Sequence, residues 1–478
     1  MKSNLRKTRI ICTIGPASEN ILEEMLMAGM NVARINFSHG GKAEQQEKVE
    51  RFKAIREKLN ISASLMLDTQ GPDIRTGMFK EEIKDGVSLK DGDNIILTGR
   101  DVICDGKTFS ITYKELAKDI EVGTMILVDD GLIQLEVKDI QDLDIYAQVK
   151  VGGIIKQRKS INVPGVKLNM PGLKQKDIDD LLYGIEAGFD YIAASFTRNK
   201  DDVMQIRNVL DENGGKDIQI IAKIENQEGI DNIDEILECA DGIMVARGDL
   251  AVEVPFEEVP YFQKLMIQKA NNAGKIVVIA TQMLESMTNN PRPTRAEASD
   301  VANAVYDGTS AVMLSGETAM GRYPLNCIIT MSNIAKNVEE HIKSFETSKI
   351  DDNNNYETLD EKSTYITVST AKNIGADVIL AYTHTGESVQ KIAGMKPTCP
   401  IFVITDNKKT YNQLALVWNV MPILIEGITD IDAIIEEGIK RLKDNNVLDK
   451  GDTVYITGGK DFIKEATRSK RIGGIAII

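Results

Sequence analysis

The sequence predicts an α/β fold: a closed (β/α)8 barrel with an inserted all-β lid, followed by a separate α/β unit. Three observations predict it. Apolar strand-like runs alternate with helical periodicity through most of residues 6–343, which calls for a parallel sheet. Three such strands precede residue 72 and five follow residue 161, and eight βα units close naturally into a barrel. Between them the rhythm gives way to short runs punctuated by Asp-Gly pairs, a hairpin signal. An open doubly wound sheet is the alternative, but TIGPAS after the first strand is not the Gly-rich dinucleotide fingerprint.

The first strand opens at residue 6, in RKTRIICTIG. SENILEEMLMAG follows as a helix, with Ser18 as its N-cap and Gly29 as its stop. NVARINF is the second strand and ends in SHGG. Residues 42–59 read as a charged helix, and ASLMLDTQGPDIRTG is a third strand breaking into a Gly/Pro turn. The lid is expected over 71–161, with Asp-Gly at 85–86, 91–92, 105–106 and 130–131 marking hairpins; NVPG at 162–165 leads back out. A helix over 174–187 and the strand DYIAASF resume the barrel. IIAKIEN, GIMVARGDL, KIVVIATQML and SAVMLSGET complete it, among helices over 199–212, 230–239, 257–273 and 295–306. The barrel therefore takes residues 1–70 and 162–343, closing on a helix over 325–343. A polar linker over 344–358 separates it from an α/β unit over 359–478. There STYITVSTAKNIGADVILAYT, PIFVITD, MPILIE and TVYITGG alternate with helices.

Length and charge restrict function. A chain of 478 residues is too long for one domain, and a net charge of −15 argues against nucleic acid as a partner. A phosphorylated ligand must then be held by local cations or a metal. No apolar run reaches membrane-spanning length, and MKSNLRKTRI lacks a signal-peptide core. Cysteines 12, 104, 239, 327 and 399 show no CxxC spacing, as expected of scattered thiols in a reducing cytoplasm. His39, His341 and His384 are too few and too scattered for a multi-histidine metal site.

The polar residues fall at the carboxyl ends of the predicted strands, the face that forms the active site of such barrels. They are Gly15 and Pro16 after strand one, Arg34, Asn36 and Ser38 after two, Asp68 and Thr69 after three, and Ser195 after four. Lys223 and Glu225 follow strand five, Arg247 and Asp249 six, Thr281 and Gln282 seven, and Ser315, Gly316 and Glu317 eight. Glu225 and Asp249, on adjacent parallel strands, could share a hard cation such as Mg²⁺; taken alone they also read as an ordinary ion-pair cluster. Lys223, Arg34 and Arg75 suit a substrate bearing both phosphate and carboxylate. Asn36, Ser38, Asp68 and Thr69 are oxygen-rich with one formal charge, which suits a monovalent cation. Gly248 and Asp249 start a helix-compatible segment whose N–H groups could receive a carboxylate. For Thr281 and Ser315, strand-end hydrogen bonding and catalysis stand level, and His39 reads equally as a phosphate contact or a structural loop residue.

TIGPAS, MNVARINFSHG, MLDTQGPDIRTG, AKIENQEG, IMVARGDLAVEVP, ATQMLESM, PRPTRAEASDVANAV and MLSGETAMGRYP are long and ungapped. Through them the chain resembles the pyruvate kinase family over essentially its whole length. The resemblance implies a TIM barrel, a β lid inserted after strand three and a C-terminal effector domain. It implies an allosteric, cytoplasmic homotetramer acting on phosphoenolpyruvate and ADP to give pyruvate and ATP, with Mg²⁺ (or Mn²⁺) and K⁺. Glu225 and Asp249 are then the Mg²⁺ ligands, and Asn36, Ser38, Asp68 and Thr69 the K⁺ ligands. Arg34 and Lys223 contact the transferred phosphoryl group, and Gly248, Asp249 and Thr281 the substrate carboxylate. Thr281 and Ser315 border the route by which the enolate is protonated. Arg75 and Lys159, with Pro16, Asn36 and His39, form the expected nucleotide set.

THTGES at 383–388 resembles the family's sugar-phosphate loop, pointing to Thr383, Thr385, Gly386 and Ser388 for a phosphorylated sugar or nucleotide effector. Glu387 is an unfavourable charge there, and a plain capping turn is the alternative. Two positions depart from the family pattern. Gln70 stands where many members have Lys, and Asp73 where K⁺-dependent members have Glu and K⁺-independent ones Lys. Two rivals remain: a Mg²⁺-dependent barrel lyase or aldolase acting on pyruvate, and a sugar-phosphate sensor built on the C-terminal unit alone.

Overall fold

The structure is a computed structural model describing residues 5–38, 42–342, 358–428, 430–458 and 474–478. Eight parallel strands close into a barrel: β1 (Arg9–Thr13), β2 (Val32–Asn36), β3 (Ser64–Asp68), β4 (Tyr191–Ala194), β5 (Gln219–Ile224), β6 (Gly242–Ala246), β7 (Ile276–Ala280) and β8 (Ala311–Leu314). Each pairs with its sequence neighbours, and β8 pairs with β1 through Arg9↔Ala311 to Cys12↔Leu314. The runs GIMVA and IVVIA are buried at every position, because the barrel interior covers one face and the helices the other. Ile11, Val32, Met66, Tyr191, Ile221, Met244, Val278 and Met313 pack inside, while Ile10, Leu65, Ile192, Ile220, Ile243 and Val277 meet the surrounding helices. Among the described residues no helix is long and apolar enough to cross a membrane.

Several elements differ from expectation. Ser18 does not cap the first helix, which runs Leu22–Ala28 with Ile21 at the N-cap and no side-chain cap bond. Its hydroxyl instead closes the tight turn at Gly15, accepting from the Gly15 N–H (3.0 Å) and lying 3.2 Å from the Gly15 carbonyl. Gly29 does end that helix, in the left-handed region. The expected helix over 230–239 is two helices, Gln227–Asp231 and Ile233–Cys239, broken where the Asn232 amide turns to the Arg198 carbonyl (3.0 Å).

Only one of the four Asp-Gly pairs makes a hairpin. Residues 130–131 join Met125–Val128 to Ile133–Gln141 antiparallel. Val87–Leu89 pairs with Gly153–Ile155, and Asn94–Thr98 with Asp144–Val151 and, in parallel, Thr108–Ser110. Gly86, Gly92 and Gly106 do adopt positive φ. The dipeptide reports a chain reversal, not which strand is met afterwards. A second lid hairpin, turning at Asp142 (φ 57°), carried no Gly signal.

The lid's entry and exit are stitched together. Ile74–Arg75 pairs antiparallel with Ser160–Asn162. Buried Asp177, in the first turn of helix Gln175–Glu186, accepts from the Gln70 and Gly71 N–H groups (both 3.1 Å).

In the C-terminal region, β-branched STYITVSTAKN folds as the helix Leu359–Asn373, started by a Thr358/Glu361 capping box that outweighs its strand propensity. A sheet of Val420–Leu424, Ile401–Thr405, Val378–Tyr382, Thr453–Gly458 and Gly474–Ile477 follows, parallel but for the last strand. Residues 411–420 seal the barrel floor. Arg9 donates to the carbonyls of Val417 (2.8 Å) and Val420, and the Ser62 and Ser64 hydroxyls to those of Tyr411 and Asn412 (2.6 and 2.7 Å). The Tyr191 hydroxyl donates to the Gln413 carbonyl (2.8 Å), and the Gln413 amide to the Asp190 and Asp217 carbonyls. Burial lowers the Arg9 guanidinium to about 9. His39, and the linker apart from Thr358, lie outside the described residues.

Candidate active site

The carboxyl ends of β3, β4 and β5 converge on one ammonium. Lys223 Nζ lies 2.8 Å from Ser195 Oγ, 3.2 Å from Asp68 Oδ1 and 3.0 Å from Glu225 Oε1. Arg34, from β2, completes the group: its Nε donates to Asp68 Oδ2 (2.7 Å) and its Nη1 to Thr13 Oγ1 (2.8 Å). All of these side chains are buried. Burial alone would raise the Asp68 carboxyl, but Arg34 and Lys223 hold it below the usual range. Burial opposes charge on Lys223, yet Asp68 and Glu225 outweigh it and hold the ammonium above its ordinary value.

Glu225 is under the opposite stress. Burial pushes its carboxyl up to about 7; Lys223 opposes the rise and Asp249 adds to it. The Phe196 N–H donates to its second oxygen (2.6 Å). Asp249 lies in the first turn of the helix Arg247–Glu253, which leaves β6 without a loop. Among the described residues no group of three or more His, Cys, Asp or Glu is arranged to hold a metal. A cation at this rim would rest on the Glu225–Asp249 pair, completed by substrate and water.

The β7 end is strained where it meets that helix. Thr281 (φ 69°) and Gln282 (φ 54°) both lie in the left-handed region, unusual for a β-branched residue. Thr281 Oγ1 accepts from the Gly248 N–H (2.7 Å), and Arg247 fastens the strained peptide by donating to the Thr281 carbonyl (2.8 Å) and to Asp300 (2.7 Å). At the β8 end, fully buried Glu317 accepts from the Ser315 N–H (2.7 Å) and the Leu284 N–H (3.0 Å), tying the last two strand ends together. Gly15 is obligatory beside this turn, since a Cβ there would meet the Ala319 carbonyl oxygen at 2.6 Å.

The other candidates lie as follows. Asn36 and Asp68 are register partners on β2 and β3, with Thr69 next along the chain. Asn36 Oδ1 accepts from the Ser38 N–H (2.9 Å). Arg75 pairs with Asp73, whose other oxygen takes Lys174 (2.9 Å) and the Gln70 amide (3.1 Å). Burial would raise the Asp73 carboxyl, but Lys174 and Arg75 hold it low. Lys159 pairs with Asp129 in the lid (2.7 Å). Far from the rim, Thr383 Oγ1 accepts from the Gly386 N–H (3.0 Å), with Gly386 at φ 86° before the helix Glu387–Gly394. Lys391 there pairs with Glu387 (3.0 Å) and Asp360 (3.3 Å). Sequence reasoning placed Ser195 at a strand end without giving it a role, and passed over Asp177; burial and backbone bonding single these out, and neither is visible in composition.

Fold and rim together define a (β/α)8-barrel enzyme. The family profile described as pyruvate kinase, barrel domain, matches residues 5–328, and that described as pyruvate kinase, alpha/beta domain, residues 361–469. A pyruvate kinase of Clostridium perfringens is 45% identical over 473 residues, covering 96% of this chain and 99% of its own length. One from Geobacillus stearothermophilus is 45% identical over 458 residues, covering 95% and 78%. One from Sporosarcina psychrophila is 44% identical over 459 residues, also covering 95% and 78%. The chain belongs to the pyruvate kinase family and is a phosphotransferase.

Proposed function

We propose that the protein transfers the phosphoryl group of phosphoenolpyruvate to ADP, giving pyruvate and ATP, with Mg²⁺ (or Mn²⁺) and K⁺. The observation that carries this reading is the Lys223 ammonium, fixed among Asp68, Ser195 and Glu225 beside a third carboxylate, Asp249. Glu225 and Asp249 are hard oxygen donors, and the upward pressure on Glu225 is what a cation between them would relieve. Bound there, Mg²⁺ supplies charge neutralisation and polarises a substrate oxygen. Lys223 and Arg34 stabilise the phosphoryl group in flight, and Lys223 also the developing enolate oxygen. Gly248, Asp249 and Thr281 receive the substrate carboxylate, the Gly248 N–H exchanging its bond to Thr281 Oγ1 for one to the ligand. Thr281 and Ser315 border the water that protonates the enolate. Arg75 and Lys159, with Pro16, Asn36 and His39, approach the nucleotide, and the lid over 71–161 closes to exclude water.

The donors Asn36, Ser38, Asp68 and Thr69 fit a monovalent cation: neutral oxygens around one carboxylate, with Asn36 and Asp68 in register. A coupled assay with ADP, phosphoenolpyruvate, Mg²⁺ and K⁺ is expected to show pyruvate formation that stops without ADP. Loss of phosphoenolpyruvate without ADP would point to a barrel lyase instead. In buffer free of Na⁺ and K⁺ little turnover should remain; an unchanged rate would remove the K⁺ assignment.

The loop with Thr383, Thr385, Gly386 and Ser388 is proposed to bind an activating phosphorylated sugar or nucleotide. Fructose bisphosphate, a ribose phosphate and AMP, titrated singly at subsaturating phosphoenolpyruvate, should yield one activator. No response to any of them would mean the loop does not regulate. A cytoplasmic homotetramer is proposed on the family resemblance, and sedimentation tests the assembly.

A further inference from the structure

We propose that Ser195 is a positioning residue for phosphoryl transfer: its hydroxyl is the neutral acceptor that aims the Lys223 ammonium. The proposal rests on the reading of Lys223 given above. An ammonium has three N–H donors. Here two of them bond Ser195 Oγ and Asp68 Oδ1, and Glu225 Oε1 lies 3.0 Å away as an ion-pair partner, the three coming from the carboxyl ends of β4, β3 and β5. The Ser195 contact is the shortest of the three. It is also the one acceptor without charge, so it holds direction without changing the electrostatic balance of the site. When a phosphoryl oxygen arrives, Lys223 must turn one donor toward it. Glu225, an ion-pair partner at 3.0 Å and one of the two carboxylates proposed above to hold the divalent cation, is the partner that such a cation would draw away. Asp68 and Ser195 then remain to fix the ammonium.

The local chain is built to keep that hydroxyl in place. A serine has a single proton, and the Thr69 carbonyl at 2.7 Å is nearer to Oγ than Asp68 at 3.1 Å. With the proton committed to Thr69, a lone pair is left for Lys223. The Ser195 N–H donates to Thr69 Oγ1 (3.1 Å), and the next N–H, of Phe196, donates to Glu225 Oε2 (2.6 Å). Phe196 sits at φ 54°, a backbone state bulky residues rarely adopt, so the strand end is over-determined. From the other side Gly71 (φ 70°) packs so closely that a Cβ would meet the Ser195 carbonyl oxygen at 2.7 Å and its Cβ at 2.9 Å. Backbone, hydroxyl and neighbour therefore leave the side chain one arrangement.

The test compares wild type, Ser195→Ala and Ser195→Thr in single-turnover transfer from phosphoenolpyruvate to ADP, with phosphoenolpyruvate affinity measured separately by calorimetry. Losing one hydrogen bond to a charged group should slow transfer about 10- to 100-fold in Ser195→Ala. Affinity should stay within about threefold of wild type, and Ser195→Thr, which restores the hydroxyl, should recover most of the rate. A rate for Ser195→Ala within twofold of wild type would overturn the proposal. So would a rate loss matched by an equal loss of affinity, or one that threonine fails to recover, because either marks a packing role. Wild type that does not consume phosphoenolpyruvate would instead fail the proposed function, so the two failures are separable.

Discussion

Lys223→Met is expected to lower kcat by about 10²–10³-fold or more, the cost of removing a donor aimed at developing charge in a buried site. The substitution keeps the length of the aliphatic stem and deletes the ammonium. KM for phosphoenolpyruvate should change less, because Arg34 and the Gly248–Asp249 amides are untouched. Stability should also fall. Asp68 keeps Arg34, but Glu225 loses its only paired cation among the described residues, and breaking a buried pair by removing one partner costs about 3–5 kcal/mol. Circular dichroism and a melting curve, with assays run well below the transition, separate the two effects. A folded variant turning over at the normal rate would contradict the role given to Lys223.

Glu225→Gln should produce a comparable loss of activity with the opposite effect on the ligand-free protein. A glutamine oxygen can still accept from the Phe196 N–H, while the buried negative charge next to Asp249 disappears. Melting temperature without divalent cation should therefore hold or rise. Wild type should gain stability as Mg²⁺ is added, about 2.7 kcal/mol at a hundredfold excess over Kd, and the variant should lose most of that gain. Its activity should demand far more Mg²⁺, exceeding the 10–100-fold penalty typical of losing an outer-shell partner. A variant with the wild-type Mg²⁺ requirement would show that these two carboxylates do not share an ion.

The barrel was legible because both faces of its strands are buried, which writes GIMVA and IVVIA into the sequence as unbroken apolar runs. The rim was legible because each run ends abruptly in polar residues. What could not be read was partnership. Ser195 and Asp177 are ordinary polar residues in the sequence, and their importance comes from groups distant along the chain, Lys223 for Ser195 and Gln70 and Gly71 for Asp177. The lid was misread in detail for the same reason. An Asp-Gly pair encodes a local turn, while strand pairing in the lid is decided by residues as far apart as Leu89 and Gly153. In STYITVSTAKN a side-chain cap at Thr358 overrode β-branched composition, and the break at Asn232 answers to a carbonyl in the loop after β4, that of Arg198.

The sealed floor has a consequence for how the chain can be shortened or rearranged. Ser62, Ser64, Tyr191 and Arg9 spend their donors on main-chain oxygens between Tyr411 and Val420, and Gln413 returns the favour to Asp190 and Asp217. A truncated version ending after the eighth strand's helix would face water with a ring of bereft polar groups and the bare lower layer of its cylinder. The C-terminal unit is thus a stopper as well as an appendage, and grafting experiments that swap it must carry residues 411–420 along with whatever else they exchange.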